Sequence, residues 1–341
     1  MDILIKSFNR PFYLDRCIQS IYLNVKGDFN LKVLDDGTPK KYLEKIQNKY
    51  PKVKVFTSKN YQEKTKAIEE NLNSGKDING FKIPTDLWID TVKNCSQYFF
   101  ITEDDVWFTR EIDLNSLEQS MQLEKIYLLK LGWLGNTNYK NNCITKPLNS
   151  EIIATKPQLF FGPNFIMKSL FKNKLKCFSL LYRLGCVDHN TIGKYWILNS
   201  ILMGIYHRDY WLSIWQDANG RVNEIHQLIN ATNFYRRNKK NENFIAHLNE
   251  EALKTTFISS ATNSYHKYDV DFDVNRFNYI LNESWYNDKF NSFENYPKDF
   301  SSEIISNLLL EANHPKARFA EWKKWSDLFK AQYKKQGCEI D

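Results

Sequence analysis

Blocks of apolar residues separated by polar turns run through the first hundred positions of the chain. Short runs with the length of buried strands occupy residues 3–5, 31–34, 53–56 and 98–101. Between them, apolar side chains recur at helical spacing over residues 12–23, 42–50 and 87–95. Because strands that alternate with helices usually form parallel sheets, the pattern predicts an α/β fold in which helices flank a mostly parallel sheet.

The pattern becomes less regular after residue 124. It predicts strands at 126–131 and 152–154 and a buried turn at 159–165. A helix is expected from near Asp188 to about Met203, and residues 222–226 have the alternation of a short strand. The second half therefore offers fewer elements on which to place a site.

A shift of composition toward charged and aromatic residues follows Arg236. It places a domain boundary near residue 240, between residues 1–240 and a mainly helical region at 241–341. One face of a late helix in that region carries Phe319, Trp322, Trp325, Leu328, Phe329 and Tyr333. We expect this face to pack on its own domain, and contact with a membrane surface is the alternative.

Length and composition predict a folded cytoplasmic protein. The chain has 341 residues, of which 42% are hydrophobic, and this is enough for a large core. It has no run of about 18 apolar residues, as a membrane-spanning helix requires, and it opens on a strand instead of a signal sequence. Its six cysteines are scattered, which is typical of reduced thiols.

The charge of the chain argues against a nucleic-acid partner. The net charge of +7 comes from 47 basic and 40 acidic residues that are spread along the sequence. Nucleic-acid binders usually gather their basic residues into a patch, and no nucleic-acid partner is therefore expected. A mild positive excess suits an anionic small substrate or a phospholipid surface.

Two acidic motifs that end predicted strands form the main candidate site. Asp35-Asp36-Gly37-Thr38 ends the second strand, and Glu103-Asp104-Asp105 follows the strand at 98–101. In an open α/β sheet, the carboxyl ends of the strands meet at one edge, where ligands bind. The two motifs therefore predict a ligand site with several carboxylates at that edge.

A turn after the first strand, Ser7-Phe8-Asn9-Arg10-Pro11, supplies a third motif. Together with Asp35-Asp36-Gly37-Thr38 it resembles the opening of a GT-A-fold glycosyltransferase of family 2, in which a Ser/Thr-x-Asn-Arg-Pro turn precedes a strand ending in Asp-Asp-Gly-Ser/Thr. The triplet at 103–105 corresponds to the Asp-x-Asp metal motif of that family, here in a Glu-Asp-Asp form. The resemblance is strong over residues 3–108, weak to residue 235 and absent beyond.

This resemblance implies a GT-A sheet and an enzyme that moves a hexosyl or N-acetylhexosaminyl group from a UDP- or GDP-sugar to a hydroxyl. It implies donor contacts from Ser7, Asn9, Arg10, Asp35, Asp36, Glu103, Asp104 and Gly162. The expected acceptor is a growing surface glycan or a lipid-linked saccharide, used in the cytoplasm or at the inner face of the membrane. Region 241–341 is expected to contact the acceptor, another subunit or the membrane surface.

The chemistry of a departing nucleoside diphosphate explains the carboxylates. A Mg²⁺ or Mn²⁺ ion that bridges the phosphates lets the diphosphate leave without protonation. Such ions take only one or two protein carboxylates, and water and phosphate complete the shell. Asp105 is the expected direct ligand, while Asp104 and Glu103 act through water or the donor ribose. The alternative for the triplet is a solvated acidic turn at a strand end, and the alternative for Asp35-Asp36 is a Gly-containing turn that Asp side chains cap.

Three residues of the second half match the rest of the family pattern in order. Gly162 fits a glycine loop near donor and acceptor, Asp188 the catalytic base and His226 a metal ligand. With Asp188 as the base, the transfer is inverting. Asp188 is equally explained as the cap of the following helix, and His189 and His207 compete with His226 for the metal.

The arginine that the family commonly places before the metal motif has no counterpart here. Lys64, Lys66 and Lys82 are the candidates to replace its charge near the phosphates, and the sequence does not choose among them. Two other functions stay open. One is a sugar nucleotidyltransferase, which the lack of a Gly-rich triphosphate turn disfavours. The other is a non-catalytic nucleotide- or carbohydrate-binding protein of the same fold.

Overall fold

The computed structural model describes residues 1–76, 78, 80–132, 143–188, 191–200, 204–256, 258, 270–335, 338 and 340. In this part of the chain the strands are β1 Asp2–Ser7, β2 Val25–Lys26, β3 Asn30–Asp35, β4 Lys54–Thr57, β5 Tyr98–Glu103, β6 Val106–Phe108, β7 Ile112–Asp113, β8 Leu128–Lys130, β9 Cys143–Pro147, β10 Ile152–Pro157, β11 Gly204–His207, β12 Ile245–Leu248 and β13 Leu253–Thr255. The α-helices are Pro11–Asn24, Lys40–Lys49, Tyr61–Ser74, Thr85–Lys93, Leu114–Glu124, Asn164–Phe171, Cys177–Arg183, Thr191–Lys194, Arg208–Trp215, Glu224–Arg237, Val274–Tyr286, Ser302–Ala312 and Phe319–Lys335.

A central sheet joins nine of these strands in the order β4-β3-β1-β5-β11-β8-β12-β10-β9. β1 pairs in parallel with both β3 and β5, and β4 pairs in parallel with β3. The chain therefore moves outward from β1 through β3 to β4 and then crosses back to the other side of β1. Strand order reverses at β1, which is where open α/β sheets form their ligand crevice.

The other half of the sheet is mixed. β11 runs antiparallel to β5 and β8, β12 runs parallel to β8, and β10 runs antiparallel to β12 and β9. The predicted α/β class is thus confirmed as a large central sheet with helices, and the continuous parallel part consists of β4, β3, β1 and β5. The connections between these four strands contain helices, as crossovers between parallel strands usually do.

Each face of the sheet has its own apolar core. Successive side chains of β1 alternate between the faces, so that Ile3 and Ile5 join one cluster and Leu4 joins the other. The first cluster includes residues of helix Pro11–Asn24 and of the three C-terminal helices. The second includes residues of helices Thr85–Lys93, Arg208–Trp215 and Glu224–Arg237. Helix Pro11–Asn24 begins where proline favours a first helical turn.

Two predicted elements of the second half were wrong. The helix expected from Asp188 is only a short α-helix, Thr191–Lys194, followed by the 3-10 turn Tyr195–Leu198, and Met203 lies outside the described residues. The strand expected at 222–226 is the start of helix Glu224–Arg237. The side chain of Asn223 caps that helix by accepting a hydrogen bond from a backbone N–H, and this local capping outweighs the apolar alternation.

Residues after position 240 contribute to the main sheet. β12 lies between β8 and β10, so the predicted boundary falls just before a central strand. Helix Val274–Tyr286 contacts helices Pro11–Asn24, Lys40–Lys49 and Tyr61–Ser74. On the late helix Phe319–Lys335, Trp325 is fully buried against Phe272. No helix among the described residues is long and apolar enough to cross a membrane.

Candidate functional site

A pocket of about 500 Å³ lies where β1, β3 and β5 end. The strands are in register, with Ser7 beside Asp35 and Lys6 beside Glu103, so the residues that follow them emerge together. The polar lining consists of Lys6, Ser7, Asn9, Arg10, Asp36, Lys64, Lys82, Glu103, Asp104, Asp105, Asn275 and Asn278. Most residues predicted from the three motifs of the first half therefore surround one cavity.

The turn after β1 is held by hydrogen bonds on both sides. Asn9 has a φ of 51°, a left-handed conformation that asparagine tolerates better than most residues. Its backbone N–H donates to Thr38 Oγ1 at 2.8 Å, and its side-chain amide donates to Asn275 Oδ1 at 2.8 Å. The next residue, Arg10, is only 3% exposed. The turn thereby directs a buried guanidinium toward the end of β5.

Arg10 bridges two members of the acidic triplet. Its Nη1 donates to Asp105 Oδ2 at 2.7 Å, and its Nη2 donates to Asp104 Oδ1. The second oxygen of Asp104 accepts the backbone N–H of Phe8 at 3.2 Å. The third member, Glu103, pairs with Lys6 at 2.7 Å. Each carboxylate of the triplet is thus compensated by a cation of β1 or of the turn after it.

Burial shifts the ionisation of these groups. Loss of hydration raises the pKa of Asp104 to about 7, although Arg10 acts in the opposite direction. Burial likewise raises the pKa of Asp105 above its ordinary value. For Arg10, burial disfavours the charge, but Asp104 and Asp105 outweigh it and raise the pKa of the guanidinium. Arg10 is therefore the permanent positive charge of the cluster.

The neighbours Asp35 and Asp36 have different environments. Asp35 is fully buried, and its carboxylate accepts the N–H groups of Gly37 and Thr38 at 3.0 and 2.8 Å. Asp36 lines the pocket and forms an ion pair with Lys64. Asp35, predicted as a donor contact, thus holds the turn and does not line the cavity, whereas Asp36 does.

Gly37 lets this turn approach the pocket closely. Its φ of 143° belongs to a region that favours glycine. A Cβ at this position would lie 3.0 Å from Lys64 Cβ and 3.2 Å from the ring of Phe8. Only glycine therefore allows Phe8, Asp36 and Lys64 to pack together at the pocket.

Some of the lysines and aromatic rings that line the pocket lie outside the three sequence motifs. Of the three candidate lysines, Lys64 and Lys82 line the pocket, while Lys66 is exposed and lies 3.9 Å from Glu70. Sequence reasoning missed Lys6, whose Nζ lies 4.9 Å from the ring centre of Trp88. A lysine that directly follows the apolar run of β1 and precedes the Ser7 turn is the signal that could have indicated it.

The C-terminal helix Val274–Tyr286 supplies one wall. Asn275 and Asn278 line the pocket. Asn275 accepts from Asn9 and donates to Asn71 Oδ1 at 2.7 Å, which ties this wall to the turn after β1 and to helix Tyr61–Ser74. Both asparagines were missed because no motif in the sequence connects them with residues more than 200 positions away.

A second cavity of about 600 Å³ adjoins the first. The two cavities share the lining residues Asp36, Lys82, Ile83 and Pro84. The second also reaches Thr57 and Ser58, at the end of β4. Together the cavities follow the carboxyl ends of the four parallel strands.

Three predicted residues of the second half do not line the pocket. Asp188 lies in a separate cavity of about 170 Å³, where its Oδ2 accepts from Lys194 Nζ at 2.6 Å. The carbonyl of Gly162 accepts from Arg236 Nη1 at 2.7 Å. His226 Nε2 lies 2.9 Å from Lys172 Nζ. The roles predicted for Asp188, Gly162 and His226 stay predictions.

The two competing histidines also lie elsewhere. His207 pairs in register with Tyr98 at the start of β5, so it occupies the edge of the sheet opposite the pocket. His189 lies outside the described residues.

The carboxylates at the pocket fit a divalent cation that shares substrate phosphates. Asp105 Oδ1 is buried and has no hydrogen-bond partner among the described residues, so a cation would satisfy it. The side chain of Glu103 is about one-third exposed, at 32%. Across the described ranges, no group of three or more His, Cys, Asp and Glu residues is arranged to hold a metal ion. Such an ion would thus rely on one or two carboxylates, as Mg²⁺ bound to phosphates does.

Comparison with solved structures gives distant likenesses to glycosyltransferases. S. aureus TarS in complex with UDP has a TM-score of 0.43 and 10% identity, over 91% of this chain and 69% of that chain. A longer TarS chain has a TM-score of 0.42 and 12% identity over 91% of this chain, which spans 42% of that one. Glucosyl-3-phosphoglycerate synthase from Mycobacterium tuberculosis, with Mn²⁺, UDP and glucosyl-3-phosphoglycerate, has a TM-score of 0.37 and 12% identity over 84% of this chain and 78% of that chain.

No protein-family model matches the chain, and no curated protein matches it in sequence. Similarity at TM-scores near 0.4 does not determine an activity, which has to be inferred from the pocket.

Proposed function

We propose that this protein is a GT-A-type glycosyltransferase that moves a sugar from a nucleoside diphosphate donor to a hydroxyl group. One observation carries the proposal. The turn after β1, the Asp36 turn and the acidic triplet meet in one pocket, at the point where strand order reverses. This is where open α/β sheets bind nucleotides, and the polar groups there include both cations and carboxylates.

The cations of the pocket suit the diphosphate. Lys6, Arg10 and Lys64 each contact a carboxylate of the pocket, and Lys82 lies on the wall shared with the second cavity. Positive groups that are already in place stabilise the charge that develops on a departing diphosphate. The adjoining cavities, of about 500 and 600 Å³, have the size of small-molecule sites and suit a donor of this class.

Asp105 and Glu103 are the residues that would hold a Mn²⁺ or Mg²⁺ ion. Such an ion would supply positive charge to the leaving phosphates. Asp36, which lines the pocket, is the residue to which we assign a contact with the ribose or base, while Asp35 holds the turn through its hydrogen bonds.

We also propose the class of the acceptor and of the transferred sugar. A surface glycan or lipid-linked saccharide with a free hydroxyl is the acceptor, and a hexosyl or N-acetylhexosaminyl group is the one transferred. Asp188 as an inverting base requires a path from its own cavity to the donor pocket.

The position of Asp188 favours one alternative function. Because the predicted base lies outside the donor pocket, a protein that binds nucleotide or carbohydrate without turnover is the second candidate. Such a protein would bind the nucleotide and release no nucleoside diphosphate.

The first experiment is donor hydrolysis. The full chain is incubated with Mn²⁺ and a panel of UDP- and GDP-sugars, and released nucleoside diphosphate is measured with and without EDTA. We expect slow hydrolysis of one donor, lost in Asp105→Ala and retained in Asp327→Ala, whose carboxylate pairs with Lys323 on the late helix. Nucleotide binding without turnover, also in the presence of candidate acceptors, would favour the binding protein. A chain that binds no nucleotide would refute both.

A further inference from the structure

We propose that Arg10 is a built-in cation that competes with a divalent metal ion for the carboxylates of Asp104 and Asp105. The inference rests on the proposed donor site and concerns how that site is charged before the donor arrives.

The guanidinium already occupies one oxygen of each carboxylate, and Asp105 Oδ1 is the oxygen of this pair that stays open to a metal ion in the described part of the chain. Nη1 lies 2.7 Å from Asp105 Oδ2, and Nη2 contacts Asp104 Oδ1. The side chains of Arg10 and Asp104 are 4% and 1% exposed. A desolvated pair of this kind is hardly screened by salt, and leaving either partner alone would be costly.

The backbone holds Arg10 in this position. Its carbonyl accepts the N–H groups of Tyr13 and Leu14, and so opens helix Pro11–Asn24. The preceding Asn9 is fixed by Thr38 and by Asn282, whose side chain donates to the Asn9 carbonyl at 3.2 Å. The guanidinium is therefore preorganised toward the triplet.

A metal ion and Arg10 cannot share the same carboxylate oxygen, because like charges repel strongly in a buried site. An ion at the open Oδ1 of Asp105 is repelled by Nη1 on the same carboxylate, and an ion that takes both oxygens has to displace Nη1. The displaced guanidinium has the planar shape that matches two phosphate oxygens. Metal binding would thus release Arg10 toward the diphosphate, whereas Lys64 stays with Asp36.

Mn²⁺ binding without nucleotide tests this competition. The electron paramagnetic resonance signal of free Mn²⁺ is measured during titration of the full chain and of Arg10→Gln. We expect the variant to bind Mn²⁺ about tenfold more tightly or better, because the competing charge is gone. Lys323→Gln is the control, since it removes an exposed lysine that pairs with Asp327 on the late helix, and it should leave the affinity unchanged. Equal or weaker Mn²⁺ affinity in Arg10→Gln would overturn the proposal.

Thermal unfolding supplies a second readout. Mn²⁺ should raise the Tm of Arg10→Gln more than that of the wild type. In the double variant Arg10→Gln/Asp105→Asn, this additional rise in Tm should disappear. If Arg10→Gln folds only with Mn²⁺, the competition is supported. If it folds in neither condition, the double variant Arg10→Gln/Asp104→Asn, which removes both charges of this buried pair, is compared with Asp104→Asn, and equal Mn²⁺ affinity of these two variants then refutes the proposal.

A failure of the proposed function can be told apart from a failure of the competition between Arg10 and the metal ion. Nucleoside diphosphate binding is measured separately by calorimetry on the wild type, with UDP and with GDP. Its absence would refute the proposed function, while the difference in Mn²⁺ affinity between wild type and Arg10→Gln depends only on the triplet and Arg10.

Discussion

The adjacent residues Asp35 and Asp36 have different structural environments. Asp35 is the last residue of β3. Its side chain is buried at the end of that strand and accepts the N–H groups of Gly37 and Thr38. Asp36 follows one residue later and faces the pocket, where it meets Lys64. The motif predicted two carboxylates at the candidate site, but the strand end decided that Asp36 and not Asp35 lines the pocket.

Asp35 should make stability depend on pH. Burial raises its pKa to about 6, above the ordinary 3.8, so the folded state holds the proton more tightly than the unfolded state. Its contribution to stability is therefore present at low pH and is lost as pH rises from about 4 through 6.

We expect Asp35→Asn, which has no proton to lose, to gain about 2 kcal/mol relative to the wild type between pH 4.5 and pH 7.5. Urea unfolding at several pH values measures this difference. Asp327→Asn, at an exposed position, serves as the control. A constant difference between Asp35→Asn and the wild type across this range would contradict the assignment.

At the level of elements, the turn after β1 depends on a helix from the other end of the chain. Asn275 joins Asn9 to Asn71, and Asn282 of the same helix donates to the carbonyl of Asn9. The sequence predicted the turn from its own residues, because asparagine and proline favour local turn geometry. The helix that supports it could not be predicted, since hydrogen bonds across more than 200 positions leave no local pattern.

Asn275→Ala should weaken both the fold and the nucleotide site. Loss of its hydrogen bonds to Asn9 and Asn71 is expected to cost about 1–2 kcal/mol of unfolding free energy. The freed turn should also bind UDP severalfold more weakly, measured by calorimetry. Asn287→Ala, at the exposed C-terminal end of the same helix, should leave UDP binding unchanged. UDP affinity unaffected by Asn275→Ala would show that this helix does not position the turn.

On the scale of the whole molecule, the region after residue 240 is not separate from the sheet. β12 pairs with both β8 and β10, and the core on one face of the sheet combines residues of helix Pro11–Asn24 with those of the three C-terminal helices. The shift in composition near residue 240 is real, but it does not separate two cores. The described part of this region contains strands β12 and β13 and helices Val274–Tyr286, Ser302–Ala312 and Phe319–Lys335.

A fragment of residues 1–240 should therefore fail to fold cooperatively. It would lack a central strand and would expose the apolar residues that the C-terminal helices cover. Urea unfolding followed by tryptophan fluorescence should show no sigmoidal transition for this fragment. A fragment of residues 1–335 is the control and should unfold as the full chain does. A sharp transition in the short fragment would show that the boundary near 240 separates independent domains.

The sequence by itself determined the parallel half of the sheet and the position of the three motifs. Short apolar runs and helical spacing are local properties, and each motif follows a strand directly, so both could be predicted. Only the tertiary structure decided that Arg10 pairs with Asp104 and Asp105, and that Lys6, Asn275 and Asn278 line the pocket. It also placed Asp188 and His226 outside the lining of that pocket. These outcomes depend on strand order and on helices packed from distant parts of the chain, which local patterns do not encode.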